Sequence, residues 1–390
     1  MKEKLNVIFF IDNFSPAIDG VVRTVENYAS ILSKKNKVSV VAPKYYKYKD
    51  DFEYEVMRTI SISKSKKNFA VALHSKNTKV AKKIRMQKAQ IYHAHSPFTV
   101  GHFALKEAKK NNVPIIATFH SKYKDDIYQV THSKLITYFI MKYIIRFYNR
   151  CNYVWACSNA TANTLREYGY KKEITVMENG TDFTFTNNSE ELVSMVRKRY
   201  KINENNKNLL FVGQINWKKN IKLVIDTLKS LLEIDKSYHL YFVGSGSNEA
   251  IIKEYVLDNK LTNNIEFLGS IKDKDILKGI YIASDLLFFP SVYDNAPLVL
   301  REASAMKTPS LLVKDSSAAE VVKDNINGYV AIENVESMKT RIIEIFSNKK
   351  KMEEIGLKAS DTIPESWDKV LDRVKNEYFK IIADYNYEKE

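Results

Sequence analysis

Short, wholly apolar runs alternate along this chain with stretches whose apolar residues recur every three or four positions. Val7 to Ile11 is continuously apolar, as expected of a parallel strand buried on both faces. Val21, Val25, Tyr28 and Leu32 then fall on one face of a helix. Val38 to Ala42 predicts the next strand, ended by Pro43, and further strands are predicted over Ala89 to Tyr92, Val113 to Phe119, Tyr153 to Ala156 and Ile174 to Met177. Residues 186–206 are polar, rich in Asn and charge, and read as a linker. The alternation restarts with strands over Leu209 to Val212, His239 to Val243, Ile265 to Leu268, Leu286 to Phe289 and Ser310 to Val313. From Ser366, a plausible cap, Trp367, Leu371, Val374, Tyr378, Ile381 and Ile382 share one helical face. The expected organisation is a first domain over 1–185, a linker over 186–206, a second domain over 207–365 and a last helix over 366–390. Both domains read as doubly wound, Rossmann-like α/β folds.

In such sheets ligands bind beyond the carboxyl ends of the strands, so the residues that follow each strand are the candidates. Asp12 and, further on, Gly20 follow the first strand; His93 and His95 follow Ala89 to Tyr92; His120 follows Val113 to Phe119. In the second half Gly213 with Gln214, Gly244 with Ser245, Gly269, Ser291 and Lys314 stand at the same ends. Two such domains facing one another enclose a deep cleft, the default place for a ligand.

Composition narrows the class. With 390 residues, 45% hydrophobic and 12% aromatic, the chain can build two real cores and is not disordered. Its 2 cysteines, Cys151 and Cys157, exclude a disulfide scaffold and a four-cysteine zinc site and fit a reducing cytosol. The start of the chain lacks the pattern of a signal peptide, and the longest apolar stretch, Leu135 to Ile145, is interrupted by Lys142. The net charge of +15 is uneven: residues 1–185 carry 31 Lys and Arg against 15 Asp and Glu, whereas residues 186–390 carry 30 against 31. The densest basic runs are Lys34, Lys35 and Lys37, then Lys64, Lys66 and Lys67, then Lys76 to Lys88. Any single run reads as solvated surface. The difference between the halves points to a polyanion facing the first, either an anionic membrane or nucleic acid. Near an anionic leaflet each basic residue adds about 1 kcal/mol of salt-sensitive attraction.

The individual motifs carry little alone. Gly244-Ser-Gly246 lacks the third glycine of a dinucleotide fingerprint, because position 249 is Glu249; a tight turn and a nucleotide contact are equally good readings. Asp273 and Asp275 form an Asp-x-Asp where a helix begins, so capping outranks metal binding. The 7 histidines have no metal-ligand spacing, and no metal site is expected. The segment Ser291-Val-Tyr-Asp294-Asn-Ala-Pro-Leu298-Val299-Leu-Arg-Glu302 is more informative. It sets two carboxylates around the start of a helix, where unpaired amides and the dipole favour phosphate and carboxylates suit vicinal diols.

Taken together and in order, these residues resemble the retaining GT-B glycosyltransferases of family four, over nearly the whole chain. Phe14-Ser-Pro-Ala-Ile-Asp-Gly20-Val-Val-Arg-Thr-Val is similar to the family's N-terminal glycine loop. Tyr92-His-Ala-His95-Ser-Pro-Phe98 and Thr118-Phe-His120-Ser-Lys122-Tyr123 are similar to its acceptor-side motifs. Met177-Glu-Asn-Gly-Thr-Asp182 matches the segment before the linker, and Val212-Gly213-Gln214-Ile-Asn-Trp-Lys-Lys219 the donor phosphate loop. Asp294 and Glu302 keep the spacing of the family's acidic pair.

The resemblance implies a set of roles. Lys219 would neutralise the leaving diphosphate, Glu302 would hold the ribose, and Asp294 the sugar. The amides of Leu298 and Val299 would contact phosphate, His120 would lie against the transferred sugar, and Gly20 near the diphosphate. Gly213, Gln214 and Gly244 belong to the donor side, Asp12, His95, Lys122 and Tyr123 to the acceptor side. It implies a nucleotide-diphosphate sugar as co-substrate, with a UDP-sugar favoured, no metal or other cofactor, and a last helix that returns to the first domain. Three positions depart from the family. Gln214 stands where most members have arginine, Asp294 is one methylene shorter than the usual glutamate, and Pro297 replaces a glycine and has no amide to donate.

The glycine loop and the two histidine motifs are similar to the branch that glucosylates diacylglycerol, and the basic first half agrees. Over Tyr138 to Tyr148, Phe139, Tyr143 and Phe147 alternate with Lys142, Arg146 and Arg150. This is either an interfacial helix or a buried helix with a basic edge, and the charge asymmetry favours the first. The expected function is hexose transfer to a membrane lipid at the inner face of the cell membrane. Transfer to a soluble or cell-wall glycan is the alternative, and a non-catalytic polyanion-binding protein a weaker one. No recognition motif supports nucleic acid.

Overall fold

In the first half the apolar runs become strands and the periodic stretches become the helices between them. In chain order these are β1 (Asn6–Phe10), α1 (Gly20–Ser33), β2 (Lys37–Pro43), β3 (Glu55–Thr59), β4 (Ser61–Ser63), β5 (Ala70–Ala72), α2 (Thr78–Gln87), β6 (Ile91–Ala94), α3 (Thr99–Asn111), β7 (Ile115–Phe119), α4 (Tyr123–Thr131), α5 (Lys134–Arg150), β8 (Tyr153–Ala156), α6 (Asn159–Glu167) and β9 (Thr175–Val176). Seven of the strands form one parallel sheet in the order β3-β2-β1-β6-β7-β8-β9. β4 and β5 pair separately and antiparallel. The computed structural model describes residues 4–17, 19–63, 70–73 and 78–387; Ile18 of the glycine loop and Lys64, Lys66, Lys67 and Lys76 of the basic runs lie outside them.

The second half follows the same plan with α7 (Ser189–Tyr200), β10 (Lys207–Val212), α8 (Ile221–Leu232), β11 (Tyr238–Val243), α9 (Glu249–Asp258), β12 (Ile265–Gly269), α10 (Lys274–Ala283), β13 (Leu286–Phe288), α11 (Leu298–Ala305), β14 (Ser310–Val313), β15 (Tyr329–Ala331), α12 (Val335–Ser347) and α13 (Lys349–Thr362). Its six strands are parallel, in the order β12-β11-β10-β13-β14-β15. The last helix, α14 (Trp367–Tyr387), follows.

The chain divides into a unit of residues 1–179 with 367–390 and a unit of 180–366. The stretch 186–206, expected as a linker, instead holds α7 and belongs to the second unit. Its glutamates, Glu190 and Glu191, lie in the first turn and Arg197, Lys198 and Arg199 in the last, each where the helix dipole favours that sign. Leu192 and Val196 are buried, two apolar residues four apart in a charged stretch. They pack on α10 at Gly279, where a Cβ would sit 2.7 Å from the Leu192 carbonyl and 2.9 Å from Val196 Cγ1. A polar composition therefore concealed a helix that needs only a narrow apolar seam.

β3 and β15, at sheet edges, had no predicted strand. Edge strands need not be apolar on both faces, and Glu-Val-Met-Arg-Thr alternates instead of running. The central strands were plain because their side chains are wholly enclosed: β7 is buried at every position.

Within the first unit α14 lies on α1 and crosses the sheet. Val370, Leu371, Val374, Tyr378 and Ile381 are buried, Trp367 meets Tyr28 edge-on at 5.8 Å, and Tyr378 stacks on Trp155 of β8 at 5.5 Å. The helix is tied to β6 as well, through a 2.6 Å hydrogen bond between the Tyr378 hydroxyl and His93 Nδ1.

A side chain at position 279 must separate α7 from α10. We expect Gly279→Ala to cost about 2 kcal/mol, read as a fall of several degrees in the melting temperature of the second unit.

Candidate active site

In the first unit the strand order reverses between β1 and β6, and ligands of such sheets bind beyond the carboxyl ends at this point. Asp12, just past β1, has all its acceptor capacity used there. Oδ1 accepts from Thr99 Oγ1 and the Val100 amide, both at 2.7 Å; Oδ2 accepts from Ser96 Oγ at 2.9 Å and the Gly101 amide at 3.3 Å. Burial pushes its pKa up while these four donors pull it back. Asp12 caps α3 and fixes the loop after β6, so it is a positioning residue and not a hand for the acceptor.

That loop carries His95, and the loop after β7 carries His120. Their rings stack at 5.3 Å and share a 3.1 Å hydrogen bond between His95 Nδ1 and His120 Nε2. His93 stacks on His95 at 4.1 Å and bonds Thr118 Oγ1 at 2.6 Å through Nε2. Phe9 and Tyr28 flank the stack. Burial among these rings disfavours the imidazolium: His93 and His95 are held well below the usual histidine range, and His120 is lowered to about 4. At neutral pH all three are uncharged, and His120 offers a hydrogen bond without a charge. His95 Nε2 is buried with no hydrogen-bond partner.

Tyr123 opens α4 and is buried against Phe98 and Phe119. Lys122 precedes it, half-buried. Gly20 opens α1, whose cap is Asp19 accepting from the Val22 amide at 2.8 Å. A Cβ at Gly20 would meet nothing within 4 Å, so the packing of the first unit does not require glycine here.

In the second unit the reversal falls between β10 and β13, and most donor-side candidates stand around it. After β10 the turn at Gly213 and exposed Gln214 lies against the turn after β11: the Gly213 amide bonds the Val243 carbonyl at 2.9 Å, and the Ile215 amide the Ser245 carbonyl at 3.1 Å. At Gly244, with φ of 136°, a Cβ would sit 1.8 Å from the Gly213 carbonyl oxygen. Gly244 is therefore required by the close approach of two loops, whatever else it contacts.

A short 3-10 turn over Trp217–Lys219 aims Lys219 at the loop before α11. Its Nζ pairs with Asp294 Oδ1 at 2.5 Å and lies 4.8 Å from the Tyr293 ring centre. Ser291 Oγ donates to the other Asp294 oxygen at 2.6 Å. Glu302, in the middle of α11, accepts from the hydroxyl of buried Tyr281 at 2.8 Å. Leu298 and Val299 are the first two residues of α11 and Pro297 is its cap without a side-chain bond, so their amides have no acceptor within the helix. Asp273 caps α10 by accepting from the Asp275 and Ile276 amides, and Asp275 pairs with Lys278. Among the described residues no group of three or more His, Cys, Asp or Glu is arranged to hold a metal ion.

The structure thus brings Lys219 to Asp294 in the loop before α11 and holds Glu302 separately, within α11, against Tyr281, whereas Asp12 is turned into α3. Tyr281 and Tyr293 were not singled out from the sequence. Tyr281 reads as an ordinary core position of α10, and only its reach to Glu302 across the fold gives it a further part.

Buried neutral imidazoles make stability depend on pH. Below pH 6.5 the unfolded chain protonates them while the fold resists, for His120 until about 4. Stability therefore falls as pH drops through this window, by up to about 1.4 kcal/mol per pH unit for each imidazole. We expect His120→Asn to melt with a shallower pH dependence than the unmodified protein between pH 7 and 5.

Two family descriptions match, "Glycosyltransferase Family 4" over residues 18–185 and "Glycosyl transferases group 1" over 193–362. The chain is 25% identical over 363 residues to the alpha-monoglucosyldiacylglycerol synthase of Acholeplasma laidlawii, covering 88% of this chain and 89% of that one. It is 22% identical over 332 residues to the protein of the same name from Streptococcus pneumoniae, covering 83% and 74%. Among solved structures, Anabaena HepE in complex with UDP-glucose superposes with a TM-score of 0.77 at 17% identity, over 96% of this chain and all of that one. The sucrose-phosphate synthase of Thermosynechococcus elongatus superposes with a TM-score of 0.78 at 16% identity, over 98% of this chain and all of that one. With both halves matched in order and the two parallel α/β sheets to go with them, the chain belongs to the family-four, group 1 glycosyltransferases of GT-B fold.

Proposed function

We propose that this enzyme is a retaining hexosyltransferase that moves a hexose from a uridine-diphosphate sugar to a membrane lipid such as diacylglycerol. The observation that carries the reading is the similarity, over most of both chains, to two alpha-monoglucosyldiacylglycerol synthases. HepE, solved with UDP and with UDP-glucose, supports uridine as the base. The excess of basic residues in 1–185 supports an anionic membrane surface, approached peripherally; no helix among the described residues is long and apolar enough to cross a membrane.

The chemistry follows from charge. As the bond from the anomeric carbon to the diphosphate oxygen breaks, the acceptor oxygen bonds to that carbon on the same face and passes its proton to the departing diphosphate oxygen. Negative charge grows on the departing diphosphate. Lys219 and the Leu298 and Val299 amides at the positive end of α11 stabilise it where it forms. A diphosphate that reaches Lys219 takes the place of Asp294 as its counter-ion, leaving Asp294, still held by Ser291, to accept from sugar hydroxyls. Glu302, oriented by Tyr281, accepts from the ribose diol. The role that the family resemblance gives His120, beside the transferred sugar, suits a neutral imidazole, which hydrogen-bonds without adding positive charge next to an oxocarbenium centre. In this reading the groups that offset the negative charge of the diphosphate are those of the protein, which suits a transfer without a metal ion.

The test is transfer from labelled UDP-glucose, UDP-galactose, UDP-N-acetylglucosamine and GDP-mannose, each with vesicles containing diacylglycerol. We expect label in the organic phase, reduced at least about 100-fold in Glu302→Ala and His120→Ala. A labelled product that stays in the aqueous phase would assign a soluble glycan acceptor instead, and no product from any donor would overturn the transfer reading and point to Gln214 and Pro297, the departures from the family pattern, as the cause. Tyr281→Phe should raise the donor KM several-fold with little change in kcat, since it loosens Glu302 without removing it. Gly20→Ala should leave the melting temperature unchanged, so any loss of transfer it causes reports contact with the substrate.

A further inference from the structure

The α4–α5 hairpin was expected to carry an amphipathic stretch, but the structure divides its residues differently from their alternation. Phe147, Ile144, Met141 and Thr137 of α5 are buried in the core of the first unit, and Phe147 with Tyr148 is wholly enclosed. The outward face holds Leu135, Ile136, Tyr138, Phe139 and Tyr143, and Val130 precedes it at the end of α4. Val130 is 81% exposed, Leu135 66% and Phe139 59%. Such values are high for residues that contribute about 1.5–3 kcal/mol when buried, and six in one place form a patch of the kind that marks an interaction surface.

The same face carries the charge. Lys134, Lys142, Arg146 and Arg150 are exposed, and α5 contains no acidic residue. Most of the exposed apolar side chains lie in the first turns of α5, beside Lys134, and at Val130 near the end of α4, whereas Lys142, Arg146 and Arg150, with Tyr143 among them, occupy the later turns. At 1.5 Å per residue, Phe139 precedes Arg146 by about 10 Å, comparable with the depth from lipid phosphates to the start of the acyl region. The acidic residues of the hairpin, Asp125 and Asp126, sit in the first turn of α4. Between α4 and α5 a recess of about 530 Å³ is lined by aromatic residues such as Tyr138 and Tyr168 and by charges of both signs, Lys124 and Lys134 with Asp125 and Glu167. α2 has exposed lysines too but a single exposed large apolar residue, Met86, so it can add attraction without insertion.

We propose that the outward face of the α4–α5 hairpin is the surface by which this enzyme docks on an anionic bilayer, Leu135, Ile136 and Phe139 entering the headgroup boundary while Lys142, Arg146 and Arg150 lie against lipid phosphates. The inference rests on the lipid-acceptor reading and gives it a place on the molecule. Two chemistries act in sequence on this face: charge draws it to the membrane and is weakened by salt, and the apolar tip then holds it and is not.

The experiment is vesicle sedimentation with a local probe. Cys151 and Cys157 are buried, so Phe139→Cys can be labelled selectively with an environment-sensitive fluorophore, and Ile234→Cys, exposed on the second unit, serves as the control position. With mixed phosphatidylcholine and phosphatidylglycerol vesicles we expect a blue shift at position 139 and none at 234. Leu135→Ser with Phe139→Ser, and separately Lys142→Glu with Arg146→Glu, should each lower vesicle binding at least tenfold without moving the melting temperature. Only the binding of the first pair should remain salt-dependent. Sedimentation with vesicles but no shift at 139 would overturn the proposal in favour of another surface. So would a dimer in solution that the Leu135→Ser, Phe139→Ser pair dissolves, which would make the face an interface between copies. Transfer to diacylglycerol in detergent micelles is measured alongside: product there with no docking sinks the surface alone, and docking without product sinks the acceptor reading alone.

Discussion

Every strand of the two large sheets runs parallel to its neighbours, and that single constraint arranges everything else. A parallel strand must be reached by a crossover from the opposite end, so each helix returns the chain to the same edge and all carboxyl ends lie together. With both faces covered by helices, the strands have to be apolar nearly throughout, and polar groups are displaced to the loops beyond them. Where the strand order reverses, adjacent loops part and leave room for side chains to work. Asp12, His95 and His120 stand along such an edge in one unit, and Gly213, Gly244, Lys219 and Asp294 along the corresponding edge in the other.

The two edges treat charge in opposite ways. In the first unit burial is deep enough to hold His93, His95 and His120 uncharged, and the Asp12 carboxylate is saturated by two amides of α3 and the hydroxyls of Ser96 and Thr99. In the second unit the charges remain and are paired across loops, Lys219 with Asp294, while Tyr281 holds Glu302. For glycosyl transfer in general, a neutral hydrogen-bonding group does not repel a cationic sugar centre, and a positive group stabilises a departing diphosphate. Gln214 supplies no charge at the turn after β10, whereas Lys219, five residues on, is paired with Asp294 in the loop before α11.

A helix such as α5 serves two environments at once. Its inner face closes the core with Phe147 and Tyr148, and its outer face leaves Leu135 and Phe139 exposed. Residues three and four apart share a face, so Phe139 and Tyr143 can be outside while Phe147, four further on, is inside; the drift of 40° per four residues carries it round to the core. Alternation of aromatic and basic residues in the sequence locates the helix well but cannot say which aromatics are free.

Much of this was legible in one dimension. Strands such as β1 and β7 announce themselves because burial on both faces permits only apolar residues, and the ordered motifs around Gly20, His95, His120, Lys219, Asp294 and Glu302 point to glycosyl transfer. The α7 helix escaped notice because a short apolar seam against Gly279 satisfies it, and β3 and β15 because edge strands are held to weaker rules. What only the tertiary structure decided is which polar residues are available. Asp12 and Glu302 are both carboxylates in the sequence, yet four donors from the loop after β6 and the start of α3 enclose the first, and the hydroxyl of Tyr281 reaches the second. Local periodicity records how a residue faces its own element, whereas its hydrogen-bond partners and its freedom come from elements far along the chain, and only packing brings those together.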